Sequence, residues 1–149
     1  MAIEKLWDMM VRMSTPFGAS GLASYAISAV DCALWDLKGK LLERPVYELL
    51  GGPQKEKIFC YASGFDQEWY MELGFKATKL FCPYGPEHGM KGLRKLEKIV
   101  AETRQAIGDE VELMLDAWTA FDVEFTVRLA EVLKPYRLKW IEDCIPADD

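Results

Sequence analysis

Val111-Glu112-Leu113-Met114-Leu115-Asp116-Ala117-Trp118 reads as a short buried strand that delivers one carboxylate, Asp116, at its C-terminal tip. Leu138-Lys139-Trp140-Ile141-Glu142-Asp143-Cys144 repeats the arrangement: an apolar run that ends on an acid. Asp116 and Glu142 are 26 positions apart, and a helix-patterned segment from Phe121 to Leu133 lies between them, as one β/α repeat requires. Upstream, Ala77-Thr78-Lys79-Leu80-Phe81 reads as an earlier strand, and Ile58-Phe59-Cys60-Tyr61-Ala62 as the first, ended by Ser63-Gly64. Leu93, Leu96, Ile99, Val100, Thr103 and Ile107 recur at helical spacing up to Gly108. Trp69, Tyr70 and Leu73 suit a shorter helix stopped by Gly74. Strands that alternate with helices imply a parallel sheet with right-handed crossovers.

The chain before this region has a different rhythm. Ile3, Leu6, Trp7, Met10, Val11 and Met13 mark an amphipathic helix, broken by Ser14-Thr15-Pro16-Phe17-Gly18. A longer helix is expected from about Gly21 to Leu42, closed by Arg44-Pro45. Gly51-Gly52-Pro53 is a strong breaker and sets the expected boundary between a helical segment, residues 1–53, and an alternating one, residues 54–149. No GxGxxG follows the first strand, which removes support for a dinucleotide-binding fold. Charged residues at strand ends fit a (β/α) barrel instead, with its chemistry on the C-terminal face. A full barrel takes roughly 200 residues or more, so four strands amount to half of one.

Composition narrows the function classes. The 149 residues are 50% hydrophobic and 28% charged, which suits a globular domain with a core. A net charge of −6 and the lack of a basic stripe exclude a nucleic-acid backbone as partner. No apolar run approaches the roughly 18 residues of a membrane span, and Met1-Ala2-Ile3-Glu4-Lys5 lacks the order of a secretory signal. Cys32, Cys60, Cys82 and Cys144 show no CxxC spacing, so free thiols in a reducing cytoplasm are expected.

Hard divalent cations take carboxylate oxygens, and acids on neighbouring strand tips come within reach of one ion. Asp116 and Glu142 are the candidate ligands; a strand-end acid that merely caps the next helix is the competing reading. Lys79, expected at the matching end of the second strand, is the candidate to set a fixed positive charge or a proton-transfer group beside a substrate carboxylate. A lysine that snorkels at the sheet edge would look the same in sequence. Trp118 and Tyr84 fall in strand-to-helix loops on the same face, where they would wall a substrate pocket or simply pack on the scaffold. His88, the only histidine, reads as a bystander in a Gly/Pro-rich loop. Asp143 should point away from Glu142 if its strand continues.

Several motifs then resemble one family. Ala26-Ile27-Ser28-Ala29-Val30-Asp31-Cys32-Ala33-Leu34-Trp35-Asp36-Leu37-Lys38-Gly39-Lys40 and Arg44-Pro45-Val46-Tyr47-Glu48-Leu49-Leu50-Gly51-Gly52 resemble the mandelate racemase/muconate lactonizing branch of the enolase superfamily. So do Leu113 to Trp118 and Leu138 to Pro146. Within the branch, Lys79-Leu80-Phe81-Cys82-Pro83-Tyr84-Gly85-Pro86 and Trp140 to Cys144 look most like acid-sugar dehydratases of the L-rhamnonate type. The resemblance implies the last helices of an α+β capping domain followed by the first four strands or so of a modified (β/α) barrel. It implies Mg²⁺ held by three carboxylates, with Asp116 as the first ligand and Glu142 as the second. The chemistry it implies is abstraction of the proton α to a carboxylate, stabilisation of the enediolate by Mg²⁺, and loss of the β-hydroxyl as water.

The sequence departs from the pattern of many relatives at Phe81, which stands where a second lysine would complete Lys-x-Lys. That weakens a racemase or cycloisomerase that needs a lysine base and fits a dehydratase whose base is a later histidine. The third ligand and that histidine would lie beyond Asp149, and the early part of the capping domain before Met1. The chain by itself is therefore expected to be inactive, with a small sugar acid as the substrate of the longer enzyme. A non-catalytic scaffold is the alternative, because an open half-barrel exposes sheet edges that favour pairing into a homo-oligomer.

Overall fold

The computed structural model describes residues 2–18 and 20–147. The chain forms two compact units, Met1–Ile58 and Phe59–Asp149. In the first, α1 (Ile3–Ser14) packs along α2 (Leu22–Leu42), and the short α3 (Val46–Leu49) follows. Pro16 opens the 3-10 turn that ends α1. The end of α2 depends on Gly39. Glu43 takes a left-handed conformation, φ 52°, so that the Arg44 N–H donates to the Gly39 carbonyl at 2.9 Å. A Cβ on Gly39 would lie 2.8 Å from the Arg44 oxygen, closer than that turn allows. Pro45, φ −65°, then launches α3.

The second unit is a four-stranded parallel sheet in the order β1-β2-β3-β4. Its strands are β1 (Ala62–Ser63), β2 (Ala77–Phe81), β3 (Glu112–Asp116) and β4 (Ile141–Glu142), interleaved with α4 (Gln67–Glu72), α5 (Gly89–Ile107) and α6 (Val123–Leu133). The two-residue strand period and the helical period meet in one core. Leu80, Leu113, Leu115 and Ala117 cluster with Leu93, Leu96, Val100 and Ile107 of α5 and with Phe125, Leu129 and Leu133 of α6. The alternate strand positions, Lys79, Met114, Asp116 and Glu142, therefore fall on the opposite face. The register pairs Lys79 with Met114, Phe81 with Asp116, and Asp116 with Glu142.

The structure corrects several expected element boundaries. The first strand is reduced to Ala62–Ser63, because only these two residues match Thr78 and Lys79 in register. The fourth is regular only at Ile141–Glu142, although backbone bonds to the β3 segment run from Lys139 N–H (to Leu113, 2.8 Å) to the Cys144 carbonyl (from Phe121, 2.9 Å). Asp143 has φ 49°, so the strand does not continue through it, and the expected alternation with Glu142 does not apply. The helix expected from Phe121 begins at Val123, because the Asp122 carboxylate accepts the Phe125 N–H at 2.7 Å and fixes the first turn; Phe121 goes into the core instead. Lys79 is central in β2, and Phe81 holds the tip.

Candidate active site

Three side chains from three consecutive strands meet on the face of the sheet turned away from α5 and α6. The Lys79 ammonium donates to Asp116 Oδ2 at 3.0 Å and to Glu142 Oε1 at 2.5 Å. The parallel register explains the meeting. Asp116 and Glu142 are direct partners on adjacent strands, and Lys79, one pleat deeper on β2, has the length to reach both tips. Two of the groups are well shielded: the Lys79 side chain is 11% exposed and that of Asp116 13%, against 29% for Glu142.

Each carboxylate has its remaining oxygen occupied. Asp116 Oδ1 accepts the Trp118 backbone N–H at 3.0 Å, and Glu142 Oε2 accepts the Trp140 indole N–H at 2.6 Å. The Trp140 ring stands edge-on to Tyr61 with centroids 5.9 Å apart, and the Tyr61 face lies 5.6 Å from the Lys79 ammonium. One oxygen of each acid is thus tied back by a nitrogen donor, while the other converges on a single cationic point.

The electrostatics follow from this enclosure. Burial acts to lower the Lys79 pKa, but the hydrogen bonds to Glu142 and Asp116 and their charges outweigh it and hold the ammonium above its ordinary value. Burial acts to raise Asp116, yet the Lys79 ammonium and the Trp118 N–H bring it below the usual carboxylate range. At neutral pH the cluster therefore holds a fixed lysine cation between anionic oxygens, and Lys79 is unsuited to act as a free base. Cys82, which follows β2, has its thiol pushed up to about 12 by burial, aided by Cys144 and Asp116, and is inert as a nucleophile.

Trp118 sits just past β3 in a left-handed conformation, φ 50°, and the residue is 84% exposed. Tyr84 is engaged elsewhere: its ring lies edge-on to His88 at 5.3 Å and under the Lys95 ammonium at 4.7 Å. His88 Nδ1 accepts the Gly85 N–H at 3.2 Å, a local role within the loop. Trp140 and Tyr61 were not singled out in the sequence. The available signal was the strand period, since Trp140 stands two residues before Glu142 and so shares its face.

The donor set suits a hard divalent cation in kind, being two anionic carboxylates with oxygens aimed at one point that a cation already holds. It is incomplete in number: among the described residues no three His, Cys, Asp or Glu side chains converge.

Known proteins share the sequence pattern and the fold of this chain. Residues 66–149 match the family described as enolase C-terminal domain-like, and residues 1–51 match the N-terminal domain of mandelate racemase/muconate lactonizing enzyme. An L-rhamnonate dehydratase from Saccharopolyspora erythraea is 42% identical over 99% of this chain, which spans 38% of that protein's length. A crystal structure of rhamnonate dehydratase from Gibberella zeae complexed with Mg superposes with a TM-score of 0.92 at 34% identity, covering 99% of this chain and 36% of the other. A racemase from Streptomyces coelicolor A3(2) with bound magnesium superposes with a TM-score of 0.85, also at 34% identity, covering 99% of this chain and 42% of the other.

Proposed function

Because the chain belongs to the mandelate racemase/muconate lactonizing enzyme family of enolase-like proteins, we propose that it carries the first part of the active site of a Mg²⁺-dependent dehydratase of L-rhamnonate-like sugar acids. The observation that carries this reading is the convergence of Lys79, Asp116 and Glu142 from β2, β3 and β4. Asp116 and Glu142 would hold the ion. When bound, Mg²⁺ supplies the Lewis acidity that offsets the charge developed as the proton beside a carboxylate is lost.

The chain's own groups take the remaining tasks within reach. Lys79 stays protonated and presents its ammonium to the substrate carboxylate, which neutralises charge without accepting a proton. Trp118 offers an exposed apolar wall beside Asp116, whereas the Tyr84 ring, engaged by His88 and Lys95, takes no part in that wall. Phe81 stands at the tip of β2 in register with Asp116, with Phe65 edge-on to it at 6.2 Å. An aromatic there cannot take up a proton, so the proton acceptor comes from another part of the longer enzyme. This favours dehydration over a racemase that uses a lysine base, the second reading, which the similarity to the Streptomyces racemase keeps in view.

The test is to assay the product of the whole gene on a panel of aldonic acids with Mg²⁺. A dehydratase converts its substrate to a 2-keto-3-deoxy acid with loss of one water, and Asp116→Asn or Glu142→Gln abolishes the conversion. Racemisation or lactonisation with no keto-acid product would overturn the proposal. The 149-residue chain assayed alone should show no turnover.

A further inference from the structure

We infer that Trp140 is a positioning residue, whose indole N–H holds Glu142 Oε2 and leaves only Oε1 to face the cation seat. The inference rests on the metal-binding reading above and goes beyond it by assigning a residue outside the ligand set. Three observations carry it. The Trp140 Nε1 to Glu142 Oε2 distance is 2.6 Å, the short contact expected of a donor to a charged oxygen. Glu142 Oε1 points the other way, to the Lys79 ammonium at 2.5 Å. The indole is itself held, since Tyr61 stands edge-on to it and presents its face to the same ammonium.

Asp116 has an equivalent restraint from a different source, the Trp118 backbone N–H on Oδ1. With one oxygen of each acid tied back, both carboxylates reach the cation through a single oxygen, which suits the octahedral demand of Mg²⁺ better than two bidentate clamps. Partners that orient a ligand from behind commonly cost about 10- to 100-fold in metal affinity when removed. Trp140 differs from Trp118 in one testable respect: its donor is a side chain, so substitution can delete it.

The experiment uses the chain with ¹⁵N-labelled tryptophan and Mn²⁺ as a paramagnetic probe. Five indole signals are expected, and the one missing from Trp140→Phe, which keeps an aromatic ring against Tyr61, assigns Trp140. In the unsubstituted chain that signal should lie downfield, broaden first as Mn²⁺ is added, and move upfield in Glu142→Gln. A residue that merely packs would not respond to Glu142 in this way. The Mn²⁺ concentration that half-broadens the Trp118 backbone amide should rise about 10-fold in Trp140→Phe. If that midpoint is unchanged while Glu142→Gln abolishes the broadening, the positioning role is overturned and the metal reading stands. If Mn²⁺ at roughly 10 mM, enough to populate even a weak site, leaves the Trp118 amide sharp in the unsubstituted chain, the metal reading fails and takes this inference with it. An indole signal indifferent to Glu142→Gln overturns the inference even if Trp140→Phe does not fold.

Discussion

Replacing Lys79 with methionine would leave Asp116 Oδ2 and Glu142 Oε1 facing one another with no positive charge between them. The removed partner leaves shielded anions unsatisfied, at a cost of roughly 1–3 kcal/mol. Urea denaturation of Lys79→Met should show that loss. If its dissociation constant for Mg²⁺ is on the order of 1 mM, 10 mM Mg²⁺ should restore about 1.4 kcal/mol. Asp116 makes the matching prediction in pH. Its folded pKa lies below the unfolded value of 3.8, so its contribution is present above that value and is lost as pH falls through the folded one. The gap in melting temperature between the unsubstituted chain and Asp116→Asn should therefore narrow as pH drops below about 4. A gap that widens on acidification would contradict the assignment. Asp116 and Glu142 were legible in the sequence because a strand-tip acid announces itself after an apolar run. The tie from Trp140 was not, because an indole next to an apolar residue reads as core until its N–H is placed.

The end of the sheet away from the two acids is closed by one side chain. Arg104, near the end of α5, donates through Nη1 to Gly108 and Val111 (2.9 and 2.6 Å), through Nε to Tyr136 (3.0 Å), and through Nη2 to Arg137 (3.2 Å). It thereby ties α5 to the chain entering β3 and to the turn after α6. Arg104→Ala should cost roughly 1–3 kcal/mol by leaving these carbonyls unpaired, and Arg104→Lys should recover little, since one ammonium cannot reproduce the fork. Thermal or urea unfolding of the two variants checks this, and a lysine variant as stable as the arginine one would refute it. Legibility at this scale followed periodicity. β2 and β3, central in the sheet, and α5 came through with nearly their expected bounds, because strand and helix periods both point into one core. β1 and β4, the outer strands, shrank to two residues each, since an apolar run does not state where its neighbour's register stops.

The two ends of the sheet gather different groups, with Asp116, Glu142 and Trp118 at the C-terminal end, where the barrel architecture expects chemistry, and the Arg104 tie at the other, where it expects stability. The sequence showed that division through the order of its acids. It offered Lys79 as a positive charge at the matching end of the second strand but not its ammonium between the two acids, because Lys79 and Asp116 are 37 positions apart and only the register makes them neighbours. That ammonium decides how the chain should meet a metal. Mg²⁺ sheds its water reluctantly and needs several converging anions, and here it finds two carboxylates, each with one oxygen already bonded and the other held by a resident cation. Binding to the 149-residue chain should therefore be weak, with a dissociation constant on the order of 1 mM or higher. Lys79→Met should bind more tightly than the unsubstituted chain, because removal of the internal cation removes its competitor. Calorimetric titration of both, with Asp116→Asn as the control for ions drawn only by the net charge of −6, reads the order directly. Micromolar binding to the unsubstituted chain, or weaker binding to Lys79→Met, would show that the ammonium does not share the metal's seat.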